Sequence, residues 1–148
     1  STSLDTNWDP HDRWNIDSVI PFVDILFPNE NELRKLTTET DLTAGMEKMS
    51  NVIPLVAVKL GEMGAVAKRN DQICESPPIK VNVMDTVGAG DSFDAGFIFG
   101  YLHGMDLQEC LRIACICGSL STRASGGTEG QATLDDLIAY GVNLGDQK

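Results

Sequence analysis

Asp85-Thr86-Val87-Gly88-Ala89-Gly90-Asp91-Ser92-Phe93-Asp94-Ala95-Gly96-Phe97 is the run from which the rest of the chain can be read. Three small residues in a row, Gly88, Ala89 and Gly90, permit a sharp turn and let a ligand come close to the backbone. Phe93, Phe97, Ile98 and Tyr101 then recur at helical spacing. The run is therefore a loop passing into a helix, with the Asp91 carboxylate at the helix N-terminus. Free N–H groups at such an end bind anions, phosphates in particular. A carboxylate beside an anion site makes chemical sense if it acts on a hydroxyl next to a phosphate.

The 148 residues suffice for one domain with a real core, and at 42% hydrophobic and 22% charged the composition is that of a globular protein. A net charge of -11 argues against nucleic acid or an anionic membrane as partner. It leaves room for a nucleotide, whose phosphates can be held by backbone dipoles and Mg²⁺. No apolar run reaches the roughly 18 residues of a membrane span, and the first residues do not look like a signal peptide. Cys74, Cys110, Cys115 and Cys117 form no CxxC and show no metal-like spacing with His11 or His103. They are expected to be buried, reduced thiols of a cytoplasmic protein. The opening Ser-Thr-Ser-Leu-Asp-Thr-Asn lacks a Met and is already strand-like, so the sequence is expected to begin inside a larger protein. A tag remnant ahead of a natural start is the alternative.

Along the chain, residues 2–7 read as a short strand and Trp8 to Arg13 as a loop containing Pro10. Residues 12–21 pattern as a short amphipathic helix, and Asp24 to Phe27 as a brief strand. Helices are expected over 30–36, with Glu30 and Glu32 in the first turn, and over 41–50, capped by Asp41 or Thr43. Leu55-Val56-Ala57-Val58-Lys59-Leu60 reads as a strand buried on both faces, the mark of a parallel sheet. Residues 65–68 and 72–75 form a hairpin around Asn70-Asp71, and Lys80 to Val83 a further strand. Helices follow over 91–103, from a capping-box-like Asp106/Glu109 to about 123, and over 133–140 with Thr133 as cap. Strands alternating with helices give an α/β class with a mainly parallel sheet, of about three strands plus the hairpin.

At these residues a family resemblance emerges. The run Asp85 to Gly96 resembles, without a gap, the C-terminal signature of the ribokinase-like (PfkB) sugar kinases: an Asp, two variable positions, Gly-Ala-Gly-Asp and a helix beginning Ser-Phe-x-Ala-Gly. Asn29-Glu30-Asn31-Glu32 resembles the family's Asn-x-x-Glu motif. Val58 to Ala65 resembles the strand and turn bordering the nucleotide, and Ser121 to Gly127 the loop that closes the adenine and monovalent-cation region. The motifs occur in the family's order and cover nearly the whole chain, which corresponds to the C-terminal half of a typical member. The resemblance implies a three-layer ribokinase-like fold, a mainly parallel sheet with flanking helices, present here in part. The N-terminal portion with its sugar contacts and lid would lie outside the 148 residues.

What the resemblance implies chemically is ATP-dependent phosphoryl transfer to a hydroxyl of a sugar or nucleoside. Asp91 would be the general base. The N–H groups of Gly88, Ala89, Gly90 and Asp91 would hold the phosphoryl oxygens. Asn29 and Glu32 would organise Mg²⁺ through its waters. Lys59, Gly61, Gly64 and Gly127 would border the nucleotide. Asp85 and the Val87 carbonyl resemble cation ligands of members activated by K⁺. Plainer readings stand beside these. Asp91 could be an N-cap, Asn29 and Glu32 an ordinary helix start, Lys59 a strand-end lysine reaching solvent, Gly61 and Gly64 turn glycines, and Gly127 a helix stop. Asp94 reads as a first-turn dipole partner, Arg123 as a helix-end partner or a neighbour of the cation loop, Asp5 as a strand-end polar residue, and Trp8 and Trp14 as packing residues.

Two functional expectations follow. The first is a sugar kinase represented by its nucleotide and catalytic half, with no turnover from the isolated chain. The second is a truncated half that binds nucleotide or a partner chain without transferring phosphate. An incomplete sheet would also favour a dimer or other association.

Overall fold

Three short strands, β1 (Ser3–Leu4), β2 (Ile25–Leu26) and β3 (Leu55–Lys59), run parallel, with Ser3 beside Ile25 and Ile25 beside Leu55. The computed structural model describes residues 1–7, 9, 11 and 13–144, and the chain divides between Glu75 and Ser76 into two compact units. In the first unit β4 (Ala65–Arg69) adds antiparallel to β3, and β5 (Gln72–Ser76) completes the order β1-β2-β3-β4-β5. These are the three parallel strands and the hairpin expected from the sequence. Leu55, Val56, Ala57 and Val58 are all buried, as a strand covered on both faces requires. The hairpin turns at Asn70, whose φ of 53° is left-handed, a conformation Asn adopts more readily than most residues.

Two helices, α1 (Glu30–Thr37) and α2 (Leu42–Ser50), connect β2 to β3. Leu33, Met46 and Met49 from these helices pack with Leu26, Ile53, Val56, Val58 and Val66 in one apolar cluster. Each such side chain contributes about 1.5–3 kcal/mol by leaving water, which holds the short strands together. Asp41 caps α2 by accepting the Ala44 N–H at 2.9 Å, as expected.

The helix expected over residues 12–21 does not form. The segment ends instead in a short 3-10 helix, Ile20–Phe22, with Pro21 inside it. The physical reason is local backbone geometry: Trp14 stands at φ of 46°, outside the right-handed helical region. Asp9 accepts the N–H groups of His11, Arg13 and Trp14 at 2.8–3.0 Å, which holds the segment in a local turn. Trp8, Pro10 and Asp12, where parts of the loop and helix expectations fall, lie outside the described residues.

The second unit is built on α3 (Ala89–Leu102), α4 (Leu107–Ser121) and α5 (Leu134–Ala139). A cluster of Ile113, Ile116, Leu120, Leu137 and Val142 forms its core, with Ile79 and Val81 packed against it. Residues 80–83 are not a strand, which corrects the sequence reading. The segment is tied to α4 instead: the Ile79 N–H donates to Ser119 Oγ at 3.3 Å and the Met84 N–H to the Thr122 carbonyl at 2.8 Å. Of the box expected at α4 only one half forms. Asp106 accepts the Glu109 N–H at 2.8 Å, while the Glu109 carboxylate takes the Arg112 guanidinium through two contacts of 2.6 and 2.8 Å. A charge-assisted fork outcompetes a bond to a neutral amide. Cys74, Cys110 and Cys115 are buried and no cysteine is disulfide-bonded. No helix among the described residues is long and apolar enough to cross a membrane.

Candidate active site

In the first unit the C-terminal ends of β1, β2 and β3 point to one edge of the sheet, where parallel sheets present polar loops to ligands. Asn29 follows β2 and caps α1. Its Oδ1 accepts the Glu32 N–H at 2.9 Å, and its own N–H donates to Glu32 Oε2 at 2.8 Å. The Asn-x-x-Glu spacing is thus a reciprocal capping box, which satisfies two N–H groups at the helix start. Glu32 is nonetheless a buried carboxylate, 8% exposed. Thr6 Oγ1 lies 3.5 Å from its Oε2, and Oε1 meets no hydrogen-bond donor among the described residues.

Lys59 ends β3 and bridges to Asn29 across the parallel edge, its N–H donating to the Pro28 carbonyl at 2.9 Å. Its ammonium does not reach solvent freely. It pairs with Asp5 Oδ2 at 2.8 Å, the two side chains being 15% and 19% exposed. Asp5, read from the sequence as a plain strand-end residue, is therefore part of this edge. The signal that could have found it is its place directly after a parallel strand. Gly61 and Gly64 sit in the turn leaving β3, at φ of 60° and 89°. Both serve the left-handed turn itself, and the Leu60 N–H closes it onto the Gly64 carbonyl at 2.8 Å.

In the second unit the loop Asp85–Val87 leads to Gly88, which caps α3 at φ of 76°. Asp91 is consequently the third residue of the helix and not its N-cap, so the capping explanation for this residue falls away. Its carboxylate is exposed and takes part in no hydrogen bond or ion pair among the described residues. The Ala89 N–H donates to the Thr86 carbonyl at 3.2 Å. The N–H groups of Gly88, Gly90 and Asp91 have no partner among the described residues, so three of the four expected amides stand open to an anion. Asp94 is buried, inside the second turn rather than the first. Ser92, next to Asp91, is 6% exposed and its Oγ lacks a partner among the described residues.

Two loops meet beside this helix start. Asp85 Oδ1 accepts the Val87 N–H and its Oδ2 the Gly126 N–H, both at 3.0 Å. The Gly126 N–H, followed by that of Val87, holds the Asp85 carboxyl below the usual carboxylate range. Gly127, at φ of 73°, lies directly against Val87 and Gly88: a Cβ built on it would stand 2.9 Å from the Val87 carbonyl oxygen. A Cβ on Gly88 would in turn be 3.0 Å from the Gly127 Cα. Gly127 is thus no mere helix stop, since α4 has ended at Ser121. The structure brings together Asn29, Glu32 and Lys59 in one unit, and Asp85, Val87, Gly88, Ala89, Gly90, Asp91 and Gly127 in the other.

The donor sets bear on the groups a kinase would use. No cluster of three or more His, Cys, Asp or Glu that could hold a metal exists among the described residues. A single buried carboxylate with one open oxygen, as at Glu32, suits Mg²⁺, which keeps most of its waters and leans on substrate phosphates. A monovalent cation at Asp85 is less well served, because both of its oxygens already accept backbone N–H groups.

Comparison with known proteins places the chain in a family. The sequence profile of the pfkB family carbohydrate kinases matches residues 2–134. An uncharacterized sugar kinase of Archaeoglobus fulgidus is 35% identical over 116 residues, covering 78% of this chain and 46% of the relative. A ribokinase of Lactococcus lactis is 32% identical over 121 residues, covering 82% of this chain and 39% of the relative. Among solved structures, Arabidopsis thaliana ribokinase complexed with ribose and ATP superposes with a TM-score of 0.84 at 28% identity, covering 93% of this chain and 46% of that one. The chain spans less than half the length of each of these proteins.

Proposed function

The chain belongs to the pfkB family of carbohydrate kinases, and from that premise we propose that it carries the nucleotide-binding and phosphoryl-transfer portion of an ATP-dependent kinase acting on a hydroxyl of a sugar or nucleoside. One observation carries the proposal: an unpaired, exposed carboxylate, Asp91, in the first turn of α3 beside three amides with no partner among the described residues. A helix start normally satisfies such amides with a capping side chain. Here Gly88 supplies none, which suits a loop whose partner is a ligand.

In this reading Asp91 accepts the proton of the attacking hydroxyl. The Gly88, Gly90 and Asp91 N–H groups hold the charge on the moving phosphoryl oxygens, where fixed donors need no reorganisation. Glu32 and Asn29 orient the waters of a divalent cation. Mg²⁺, when bound, would neutralise phosphate charge. Within the first unit Lys59, fixed by Asp5, is the cation offered to a phosphate; within the second, Gly127 lines the Asp85–Gly88 loop. No step requires a monovalent cation at Asp85 and Val87. The remainder of the acceptor site belongs to a portion of the protein beyond these 148 residues. The edge of β1, paired on one side only among the described residues, is where further strands or a second copy would add.

A second reading, a half-domain that binds nucleotide without turnover, is favoured by the coverage of less than half of each relative. The two part in one experiment. ADP release by the full-length protein, screened over sugars and nucleosides, is expected to reveal an acceptor, while the 148-residue chain alone turns none over. Asp91→Asn in the full-length protein should lower kcat by about 10²–10⁴-fold with little change in KM. Near-normal turnover by that variant would remove Asp91 from the role of base.

A further inference from the structure

Arg123 lies outside the loop that would hold the phosphoryl group, yet a continuous run of contacts leads from it to that loop. Its Nη1 and Nη2 form a fork on Asp136 Oδ1 and Oδ2, both at 3.1 Å. Asp136 is itself fixed, because its Oδ2 accepts the N–H and Oγ1 of Thr133, each at 2.8 Å, in the capping box of α5. From this anchored fork Arg123 Nη2 also donates to the Gln131 carbonyl at 3.4 Å. The Gln131 side chain passes the constraint on, its Nε2 donating to the Gly127 carbonyl at 3.3 Å. Gly127 then lies against Val87 and Gly88, and the neighbouring Gly126 N–H is held by Asp85 at 3.0 Å.

We infer that the Arg123–Asp136 pair is a positioning latch: it holds residues 124–131 so that Gly126 and Gly127 press the Asp85–Gly88 loop into the geometry that presents its amides to a phosphoryl group. The consequence for catalysis rests on the function proposed above; the latch itself does not. Arg112 offers the internal contrast. Its guanidinium also pairs with a carboxylate, Glu109, but its remaining contacts go to the Tyr140 and Gly141 carbonyls at the end of α5. It fastens helices and touches neither loop. An exposed ion pair adds little to global stability, and the Arg123 side chain is 39% exposed. A latch therefore differs from a stabilising surface pair in what its loss changes: local order at two loops rather than unfolding of the whole.

The test uses the full-length protein, wild type, Arg123→Gln and Arg123→Lys. Gln removes the fork and leaves the Asp136–Thr133 cap in place. Lys keeps the charge but loses the planar fork. Amide hydrogen exchange is followed in peptides covering residues 84–91 and 124–131, with the interior of α4 as reference. Arg123→Gln should speed exchange in both loop peptides about tenfold while the reference is unchanged and Tm moves by no more than about 2 °C. Turnover should fall about 10- to 100-fold, as expected for a misplacement of order 1 Å, with the acceptor KM unchanged and partial recovery in Arg123→Lys. Wild-type exchange rates at residues 84–91 in Arg123→Gln would overturn the latch. Faster exchange there with undiminished kcat would keep the latch and overturn its catalytic consequence. Absence of turnover in the wild type over every acceptor tried would defeat the functional reading instead, and the exchange result would still decide the latch.

Discussion

Replacing Gly127 by Ala tests whether the two loops of the second unit are held by backbone contact. Gly126 provides the control one residue away. Both glycines are left-handed, at φ of 84° for Gly126 and 73° for Gly127. An L-residue there costs about 1–2 kcal/mol whatever the surroundings. They differ in space. A Cβ on Gly126 meets nothing within 4 Å, whereas one on Gly127 would stand 2.9 Å from the Val87 oxygen and 3.4 Å from the Gly88 Cα. Those neighbours are backbone and cannot rotate aside, so Gly127→Ala adds an overpacking cost of about 1–3 kcal/mol. Thermal unfolding should therefore place Gly127→Ala below Gly126→Ala by about 2–12 °C, taking about 2–4 °C per kcal/mol. The Val87–Gly88 backbone must move by several tenths of an ångström to admit the methyl group. kcat/KM for ATP in the full-length protein should then fall at least about tenfold in Gly127→Ala, and by no more than the shared backbone effect in Gly126→Ala. Two variants indistinguishable in both measurements would show that the close approach at Gly127 carries no constraint.

Thr38 ends α1 at φ of 61°, a left-handed conformation that a β-branched residue adopts at a cost of about 1–2 kcal/mol. Thr38→Gly should raise the midpoint of chemical denaturation, by an amount reduced by about 0.5–1 kcal/mol through the freer unfolded chain; a lowered midpoint would contradict the strain. Burial, helped by the Asp136 charge, pushes the Cys117 thiol up to about 11. At pH 8 about one thiol in 10³ is ionised, so iodoacetamide should label Cys117 in the folded protein about two orders of magnitude more slowly than a free cysteine. Asp136 is held well below the usual carboxylate range by the Arg123 guanidinium and then by Thr133. Because the folded value is the depressed one, this interaction is complete above the unfolded value of about 4 and is lost only in acid. Protection factors at residues 124–131, taken relative to the intrinsic exchange rate at each pH, should accordingly show no step attributable to Asp136 between pH 6 and 8, and should begin to fall below about pH 4. A step near neutrality that Asp136→Asn abolished would contradict this.

What the sequence made legible was local. A continuous apolar run with β-branched members announced β3, Asn70-Asp71 announced the hairpin, and Asp41 and Thr133 announced their helix starts, because each needs only neighbouring residues. The helix expected at 12–21 had the right apolar spacing, but spacing does not report that Trp14 takes a left-handed φ of 46°. Asn29 and Glu32 show the converse case. Their spacing suggested both a helix start and a site, and the capping box with one open oxygen on a buried Glu32 is compatible with both at once. Lys59 was legible as a strand end, while its pairing with Asp5 spans 54 residues and leaves no trace in either local pattern. The same holds for the tie between Asp85 and Gly126, 41 residues apart.

The glycines inside α3 and α4 carry the argument a step further. Read locally, Gly96, Gly100 and Gly118 are defects, each weakening its helix by about 1 kcal/mol relative to Ala. Their neighbours explain them. A Cβ on Gly96 would lie 2.8 Å from Cys117 Sγ and 3.1 Å from the Ala114 Cα, one on Gly100 3.1 Å from the Cys110 Cα, and one on Gly118 3.2 Å from the Ala89 carbonyl oxygen. The two helices approach so closely along their length that side chains at these points would separate them. Gly118 is the informative one, because Ala89 begins α3 and the open amides of Gly90 and Asp91 follow at once. The first turn of α3 is thus backed by Gly118 of α4, which lies against the Ala89 carbonyl and the Phe93 Cβ, and is flanked by Gly127. Backbone donors aimed at a developing charge act well only when they cannot swing away. Close approach of the two helices at Gly96, Gly100 and Gly118, where a Cβ would meet backbone and the stems of neighbouring side chains, supplies that rigidity. The helix propensity lost at these positions is offset by a fixed first turn, so residues that a local reading counts against the helix are the ones that make its N-terminus usable.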